Sequence, residues 1–266
     1  LLHVTNLEKG LVEQYKNASN LDIRIGLHQK YSQNPQPWFD WIYEQLNLEE
    51  KDEVLELGCG TGELWKNKKL PKDLHVTLSD QSQGMVKDAR KYVGDGNGQI
   101  SYQTIDCRKI PKDDHSFDKV IANHVLFYLD DRQETLREIK RVLKLDGTFI
   151  CSTYGSSHMQ EITQLIKDFD ERITLSDHKL YDVFGLENGE EQLKKVFSQV
   201  KEVDYEDELL VDQPEPLISY ILSCHGNQHE YLNHRYLEFK DFVRKKMAAK
   251  GVIKITKSAG IFICKP

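Results

Sequence analysis

From residue 53 onward, short apolar runs alternate with segments of helical periodicity. Strict alternation of strand and helix is typical of βαβ units, which build a parallel sheet covered by helices. The run Val120-Ile121-Ala122 has no polar alternation, as expected for a central strand buried on both faces. The sequence therefore predicts a doubly wound α/β fold. The predicted strands are residues 54–57, 74–78, 100–105, 117–122, 148–153 and 200–211, with two short strands in 251–265. The predicted helices are residues 11–31, 38–46, 63–67, 82–93, 130–143, 158–169, and a helix capped by Asn188 and ending at 197. The segment 214–250 is also predicted to be helical.

The composition narrows the class of protein. The chain has 266 residues, 39% of them apolar, enough for one large domain with a core. Basic residues number 36 against 43 acidic ones, a net charge of −7, which argues against a nucleic-acid partner. The five cysteines form no CxxC pair, and no apolar run reaches the ~20 residues that span a bilayer. We therefore expect a soluble, cytoplasmic protein with reduced thiols and no membrane partner.

A glycine-rich turn, Glu56-Leu57-Gly58-Cys59-Gly60-Thr61-Gly62, separates the first predicted strand from a helix. Glycines here allow positive φ and close approach of a ligand to the backbone. The spacing GxGxG differs from the GxGxxG of dinucleotide-binding oxidoreductases. The alternative is a plain connector between strand and helix.

Two acidic residues end the next predicted strands. Asp80 ends the second strand, where a carboxylate can accept both hydroxyls of a ribose; the alternative is an exposed Asp that caps the following helix. Asp106 ends the third strand and is followed by Cys107, so its carboxylate can accept from an adenine amine while the next N–H donates to the ring. The alternative for Asp106 is a turn-forming role.

Taken in order, these motifs resemble the class I methyltransferase family over residues 50–155. The matching stretches are residues 56–62, Asp80-x-Ser82-x-x-Met85, Asp106, residues 117–128 and residues 141–147. In the last stretch, Leu145 and Asp146 replace a Pro and a Gly of the family pattern. Within the family the chain is similar to the group that includes the ubiquinone and menaquinone methyltransferases. The Asn/Asp-Pro-Pro-Tyr stretch of many amino-methylating enzymes is absent after the fourth strand, which reads Ala122-Asn123-His124.

The resemblance implies S-adenosylmethionine as cofactor and a Rossmann-like, mostly parallel, seven-stranded sheet whose last strand is antiparallel. It also implies which residues bind the cofactor. They are Glu56, Gly58, Cys59, Gly60, Gly62, Asp80, Gln81, Met85, Asp106, Cys107 and Asn123.

Other candidates carry weaker signals. Arg24, His28 and Tyr31 share one helix face, from which Arg24 and Tyr31 are expected to meet the methionine arm; the alternative is an ordinary amphipathic surface. His124 follows the fourth strand, where a base near the acceptor is expected, although a core histidine is the alternative.

A histidine-rich stretch at residues 224–234 raises the question of a metal. It holds Cys224, His225, His229 and His234, but Asn233 stands where the zinc motif HExxH needs its second histidine. We expect no metal site.

The predicted organisation has four parts. They are N-terminal cap helices (1–48), the Rossmann-like cofactor-binding core (49–155), remaining core elements with helical lid insertions (156–250) and terminal strands (251–266). The predicted function is methyl transfer to a small-molecule acceptor by in-line displacement. Two alternatives are an NAD(P)-dependent oxidoreductase and a non-catalytic S-adenosylmethionine-binding protein. The acceptor, the methylated atom, the use of a base and the oligomeric state stay open.

Overall fold

The strands predicted between residues 53 and 154 form the centre of one sheet in the computed structural model, which describes residues 18–176 and 179–266. Within those residues the sheet has seven strands in the order β3-β2-β1-β4-β5-β7-β6. Strands β1 to β5 pair in parallel, and β7 runs antiparallel to β5. The predicted α/β fold, with its mostly parallel sheet and antiparallel last strand, is confirmed. The strands are β1 Glu53–Leu57, β2 His75–Asp80, β3 Ile100–Thr104, β4 Phe117–Asn123, β5 Leu143–Tyr154, β6 Gln199–Val211 and β7 Ile253–Lys265.

The helices follow the predicted alternation. Within the described ranges they are α1 Ala18–Tyr31, α2 Trp38–Gln45, α3 Gln83–Val93, α4 Arg132–Val142, α5 Gln160–Phe169, α6 Leu180–Val183, α7 Leu186–Lys194, α8 Pro214–Leu222, α9 Gln228–Leu232 and α10 Tyr236–Lys250. The predicted residues 11–17 lie outside the described part of the chain. No helix that the structure describes is long and apolar enough to cross a membrane.

The central strands are buried on both faces, as their apolar runs predict. Successive residues of β4 pack into different clusters, Val120 with Phe149 on one face and Ile121 with Ile150 on the other. The first cluster includes residues of α4 and the second includes residues of α2. Since β1 pairs with both β2 and β4, the strand order reverses between β1 and β4. Ligands of such sheets bind at this switch point, outside the carboxyl ends of the strands.

Contacts group the described residues into two compact units. The core unit comprises 38–155, 180–205 and 259–266, and the helical unit comprises the described residues within 18–37, 156–179 and 206–258. The four-part organisation predicted above follows chain order, whereas these units are interleaved along the chain. That the segments of the helical unit act as a lid stays a prediction.

Three local predictions were wrong. The helix predicted at 63–67 is a 3-10 turn, Glu63–Trp65, because Lys66 is extended at φ −63°, ψ 126°. Asn188 is not the N-cap of α7: Gly185 is, and its N–H donates to Asn188 Oδ1 at 3.0 Å. The two strands predicted within 251–265 are one continuous strand, β7. The segment 214–250, which was predicted to be helical, contains the three helices α8, α9 and α10.

Candidate active site

The glycine turn follows β1, and its glycines adopt left-handed φ values of 70° (Gly58), 54° (Gly60) and 81° (Gly62). A Cβ on Gly58 would lie 2.5 Å from Cγ2 of Val125, and a Cβ on Gly62 would lie 2.5 Å from Cγ2 of Val93. These two positions need glycine for packing as well as for backbone conformation. Gly58 and Gly62 are therefore explained even if the turn only connects a strand to a helix. Gly60 is the glycine that distinguishes this alternative from a turn that binds a ligand.

Asp80 links the turn to the end of β2. Its Oδ2 accepts the N–H of Gly60 at 3.1 Å, and its Oδ1 accepts the N–H of Ser82 at 2.7 Å. Burial raises the pKa of this carboxyl, although both hydrogen bonds lower it. Ser82, not Asp80, is the N-cap of α3, since its side chain accepts from the N–H of Met85. The helix-capping alternative for Asp80 is therefore wrong.

Glu56 is a buried carboxyl on β1, 2% exposed. Its Oε2 accepts from Trp65 Nε1 at 2.7 Å, and its Oε1 accepts from Asn123 Nδ2 at 3.1 Å. Burial raises the pKa of Glu56 to about 7, and the charge of Asp80 adds to the rise. Asn123 ends β4, so this contact joins the two strands at the switch point.

Asp106 follows β3 and forms a bidentate ion pair with Arg108. Arg108 Nη2 lies 2.7 Å from Asp106 Oδ2, and Arg108 Nε lies 2.9 Å from Asp106 Oδ1. The Arg108 guanidinium lowers the pKa of Asp106. The backbone N–H of Arg108 also donates to Asp106 Oδ1 at 3.0 Å. This contact is the one expected from the alternative in which Asp106 forms a turn. The next residue, Cys107, is partly buried, and burial raises its pKa to about 12.

His124 comes directly after β4 in a left-handed conformation, φ 54°. Its N–H donates to Ser152 Oγ at 3.0 Å. The imidazole stacks on Tyr154 with ring centroids 4.4 Å apart, and on Trp38 at 5.5 Å. Tyr205 packs edge-on against Trp38 at 5.1 Å. His124 is thus held among aromatic rings at the carboxyl ends of β4 and β5.

The remaining predicted residues are divided between the two units. Gln81 is exposed and Met85 is 1% exposed in α3, while Cys59 is 8% exposed and its N–H donates to the Ser79 carbonyl at 2.8 Å. Arg24 and Tyr31 belong to the helical unit, and the other predicted site residues belong to the core unit.

Within the helical unit, α1 carries these two side chains. Arg24 Nη1 donates to the Ser223 carbonyl at 2.6 Å. The Tyr31 side chain is 5% exposed, and its hydroxyl has no hydrogen-bond partner among the residues described. His28 stacks on His158 at 6.1 Å. Across residues 18–176 and 179–266, no group of three or more His, Cys, Asp or Glu side chains is placed to hold a metal ion.

The core-unit residues fit the cofactor that the resemblance implies. Asn123 Oδ1 and Thr61 Oγ1 are buried and have no hydrogen-bond partner in the described part of the chain. Buried polar atoms without partners call for a ligand or water. Together with the carboxylates of Glu56 and Asp80 they form a polar edge suited to a ligand with hydroxyl and amino groups. Sequence reasoning missed Thr61, Trp65 and Ser152; a threonine inside the glycine turn was the available signal.

Comparisons with known proteins agree with this chemistry. A family model described as a methyltransferase domain matches residues 55–151. YrhH of Bacillus subtilis (strain 168), which carries the name of a methyltransferase, is 35% identical over 135 residues, covering 48% of this chain and 72% of YrhH. The ubiquinone/menaquinone biosynthesis C-methyltransferase UbiE of Desulfotalea psychrophila is 31% identical over 119 residues, covering 44% of this chain and 47% of UbiE.

Solved structures share the fold over most of the chain. A chain of the complex between the Haloferax volcanii Trm112 methyltransferase activator and a methyltransferase matches with a TM-score of 0.56 and 19% identity, covering 94% of this chain and 95% of that one. A SAM-dependent methyltransferase of Thermotoga maritima matches with a TM-score of 0.52 and 16% identity, covering 94% and 96%. At these identities the likeness shows the fold alone.

Proposed function

Because this chain belongs to the class I S-adenosylmethionine-dependent methyltransferase family, we propose that it transfers the cofactor's methyl group to a small-molecule acceptor. The observation that carries the proposal is a pair of contacts at the carboxyl ends of β1, β2 and β4. Asp80 at the end of β2 accepts from Gly60 of the glycine turn, and Asn123 at the end of β4 donates to Glu56 of β1. The net charge of −7 favours a small molecule over a nucleic acid. Nothing in the comparisons favours the NAD(P)-dependent oxidoreductase or the non-catalytic alternative.

The proposed cofactor contacts follow the order of the strands. Asp106 and the Cys107 N–H receive the adenine at β3, Asp80 receives the ribose at β2, and Glu56 and Asn123 face the methionine arm at β1 and β4. Gly60 lets the backbone approach the ligand, and Gln81 and Met85 line the site. Arg24 and Tyr31 stay proposed contacts of the methionine arm.

When bound, the cofactor supplies a methyl group already activated on a sulfonium. The chain has to orient the acceptor and exclude water, and alignment alone can contribute ~7–11 kcal/mol. A base is needed only when the acceptor atom carries a proton at neutral pH. We assign that role to His124, because Ser152 fixes its backbone and Tyr154 fixes its ring plane.

The five cysteines are free thiols, which supports the proposed cytoplasmic location.

The proposal is tested with methyl-labelled S-adenosylmethionine and a metabolite panel divided into alcohols, phenols, amines and acidic carbons. Label is expected in at least one acceptor. For a hydroxyl acceptor, His124→Asn, which tolerates the left-handed backbone, should lower kcat by roughly 10²–10⁴-fold with S-adenosylhomocysteine affinity unchanged. Cofactor binding without transfer to any member of a wide panel would favour the non-catalytic alternative.

A further inference from the structure

Trp65, Glu56 and Asn123 are joined in a series of two hydrogen bonds. When Glu56 is ionised, only one arrangement of donors and acceptors is possible in this series. Trp65 Nε1–H can only donate, and it occupies Glu56 Oε2 at 2.7 Å. The ionised carboxylate only accepts, so Oε1 must face the amide NH₂ of Asn123, which lies 3.1 Å away. The amide oxygen of Asn123 is thereby turned away from Glu56.

That oxygen is left without a partner. Asn123 Oδ1 is buried and accepts no hydrogen bond from any residue the structure describes. Leaving a buried acceptor unpaired is unfavourable, because the atom gives up its hydrogen bonds to water and gains none in the protein. A ligand that donates a hydrogen bond at this point would remove that cost.

The position along the sheet indicates which part of the ligand arrives there. Strands β3, β2, β1 and β4 are neighbours in that order. Asp106 follows β3, Asp80 ends β2, Glu56 is the last residue but one of β1, and Asn123 ends β4. If adenine and ribose lie at β3 and β2, the amino-acid arm reaches β1 and β4. Its carboxylate has no hydrogen to donate, whereas its ammonium has three, and the negative charge of Glu56 favours a cation nearby.

We propose that Glu56 is a positioning residue that fixes the Asn123 amide so that its oxygen accepts a hydrogen bond from the ammonium of the cofactor's methionine arm. This inference rests on the proposed function. It assigns to Glu56 a role exerted through Asn123, and to Asn123 a side-chain contact with a single group of the cofactor.

The test uses two ligands at pH 8, where Glu56 is mostly ionised because its pKa is about 7. S-adenosylhomocysteine carries the amino-acid arm, and 5′-methylthioadenosine lacks it. In Glu56→Gln, the Gln oxygen must accept from Trp65, so its NH₂ faces Asn123. Asn123 then turns its oxygen inward and presents its own NH₂ to the ammonium.

Glu56→Gln is therefore expected to weaken S-adenosylhomocysteine binding by roughly 10- to 100-fold, as for loss of a hydrogen bond to a charged group, and 5′-methylthioadenosine by less than about 2-fold. The double variant Glu56→Gln/Asn123→Asp restores an outward oxygen and the original charge. It should recover S-adenosylhomocysteine affinity to within about 3-fold of the wild type. Asn123→Leu is a second single variant that should weaken only the ligand with the arm.

Equal losses for both ligands, or no recovery in the double variant, would show that Glu56 only supports the fold and would overturn the inference. Unchanged S-adenosylhomocysteine affinity in folded Asn123→Leu would overturn it as well. Failure of the wild type to bind either ligand would instead contradict the proposed function.

Discussion

The carboxylate of Asp80 accepts the backbone N–H of Gly60 at 3.1 Å, which ties the end of β2 to the middle of the glycine turn. A second hydrogen bond, from Ser82, occupies the other oxygen at 2.7 Å. An ionised carboxylate offers about four acceptor positions, so Asp80 keeps capacity for ribose hydroxyls. One side chain thus shapes the turn and remains available to a ligand.

Asp80→Ala is expected to weaken S-adenosylhomocysteine binding by ~1.5–3 kcal/mol, the range for hydrogen bonds to a charged group. It should also lower the thermal midpoint, because the N–H groups of Gly60 and Ser82 lose their acceptor. Calorimetric titration and thermal unfolding separate the two effects. Asp80→Asn, which keeps one oxygen, serves as the control and should fall between the wild type and Asp80→Ala. Wild-type affinity in a folded Asp80→Ala protein would remove Asp80 from the site.

Gly62→Ala is expected to lower the free energy of unfolding by about 2–4 kcal/mol. The left-handed backbone contributes about 1–2 kcal/mol, and the approach of the new Cβ to Val93 contributes the rest. The control is a double-mutant cycle with Val93→Ala, measured by urea unfolding. The double variant should be less destabilised than the sum of the single variants. Strict additivity would show that Val93 does not limit the position.

The sequence was sufficient to predict those helices and strands that have strong local signals. The uninterrupted apolar run Val120-Ile121-Ala122 predicted a strand buried on both faces, and the structure confirms it. Asn188 shows the limit of such signals. Its side-chain amide does accept a hydrogen bond at the N-terminus of α7, but Asn188 is the third residue of the helix and Gly185 is the N-cap. Both residue types are common N-caps, so the sequence alone does not decide at which of them the helix begins.

The site was predictable in its acids and glycines but not in the contacts that hold them. Nothing in the spacing of Glu56, Trp65 and Asn123 indicates that an indole and an amide both bind one buried carboxylate. Glu56 and Asn123 are far apart in sequence and come together only because β1 pairs with β4. The two packing roles of Gly58 and Gly62 likewise depend on side chains distant in sequence.

The helical unit contains a buried ion pair between Asp207 and Lys257, with Nζ 2.9 Å from Oδ2 and side-chain exposures of 0% and 6%. Burial by itself raises the pKa of Asp207, but Lys257 and several hydrogen-bond donors bring it below its usual value. Asp207→Asn removes the carboxylate that pairs with this buried ammonium and should cost about 3–5 kcal/mol of unfolding free energy.

The control for this pair is Asp207→Asn/Lys257→Met, which removes both charges. It should be clearly less destabilised than Asp207→Asn in urea unfolding at pH 7. Equal destabilisation of the two variants would mean that the hydrogen bonds to Asp207, and not the charge pair, stabilise the unit.

Glu56 should give stability a measurable pH dependence. Burial raises its pKa to about 7, with a further rise from Asp80, against the lowering effect of Trp65 and Asn123. Between the unfolded pKa of ~4.3 and 7, the native state holds the extra proton, so the free energy of unfolding falls as pH rises through this window. Glu56→Gln does not titrate. Its stability relative to the wild type should therefore rise by about 2–3 kcal/mol from pH 5 to pH 8. A pH-independent difference in urea unfolding would contradict the raised pKa.

The central claim is that the glycine turn beside Asp80 belongs to an S-adenosylmethionine site, and calorimetric titration with S-adenosylhomocysteine tests it most directly. The wild type is expected to bind one S-adenosylhomocysteine per chain and to give no heat with NADH. Gly60→Val should abolish binding, because a side chain at this position would occupy the space through which the ligand approaches the backbone. The far-UV ellipticity of the variant should stay close to that of the wild type. Retained affinity in Gly60→Val, or NADH bound in place of S-adenosylhomocysteine, would contradict the account.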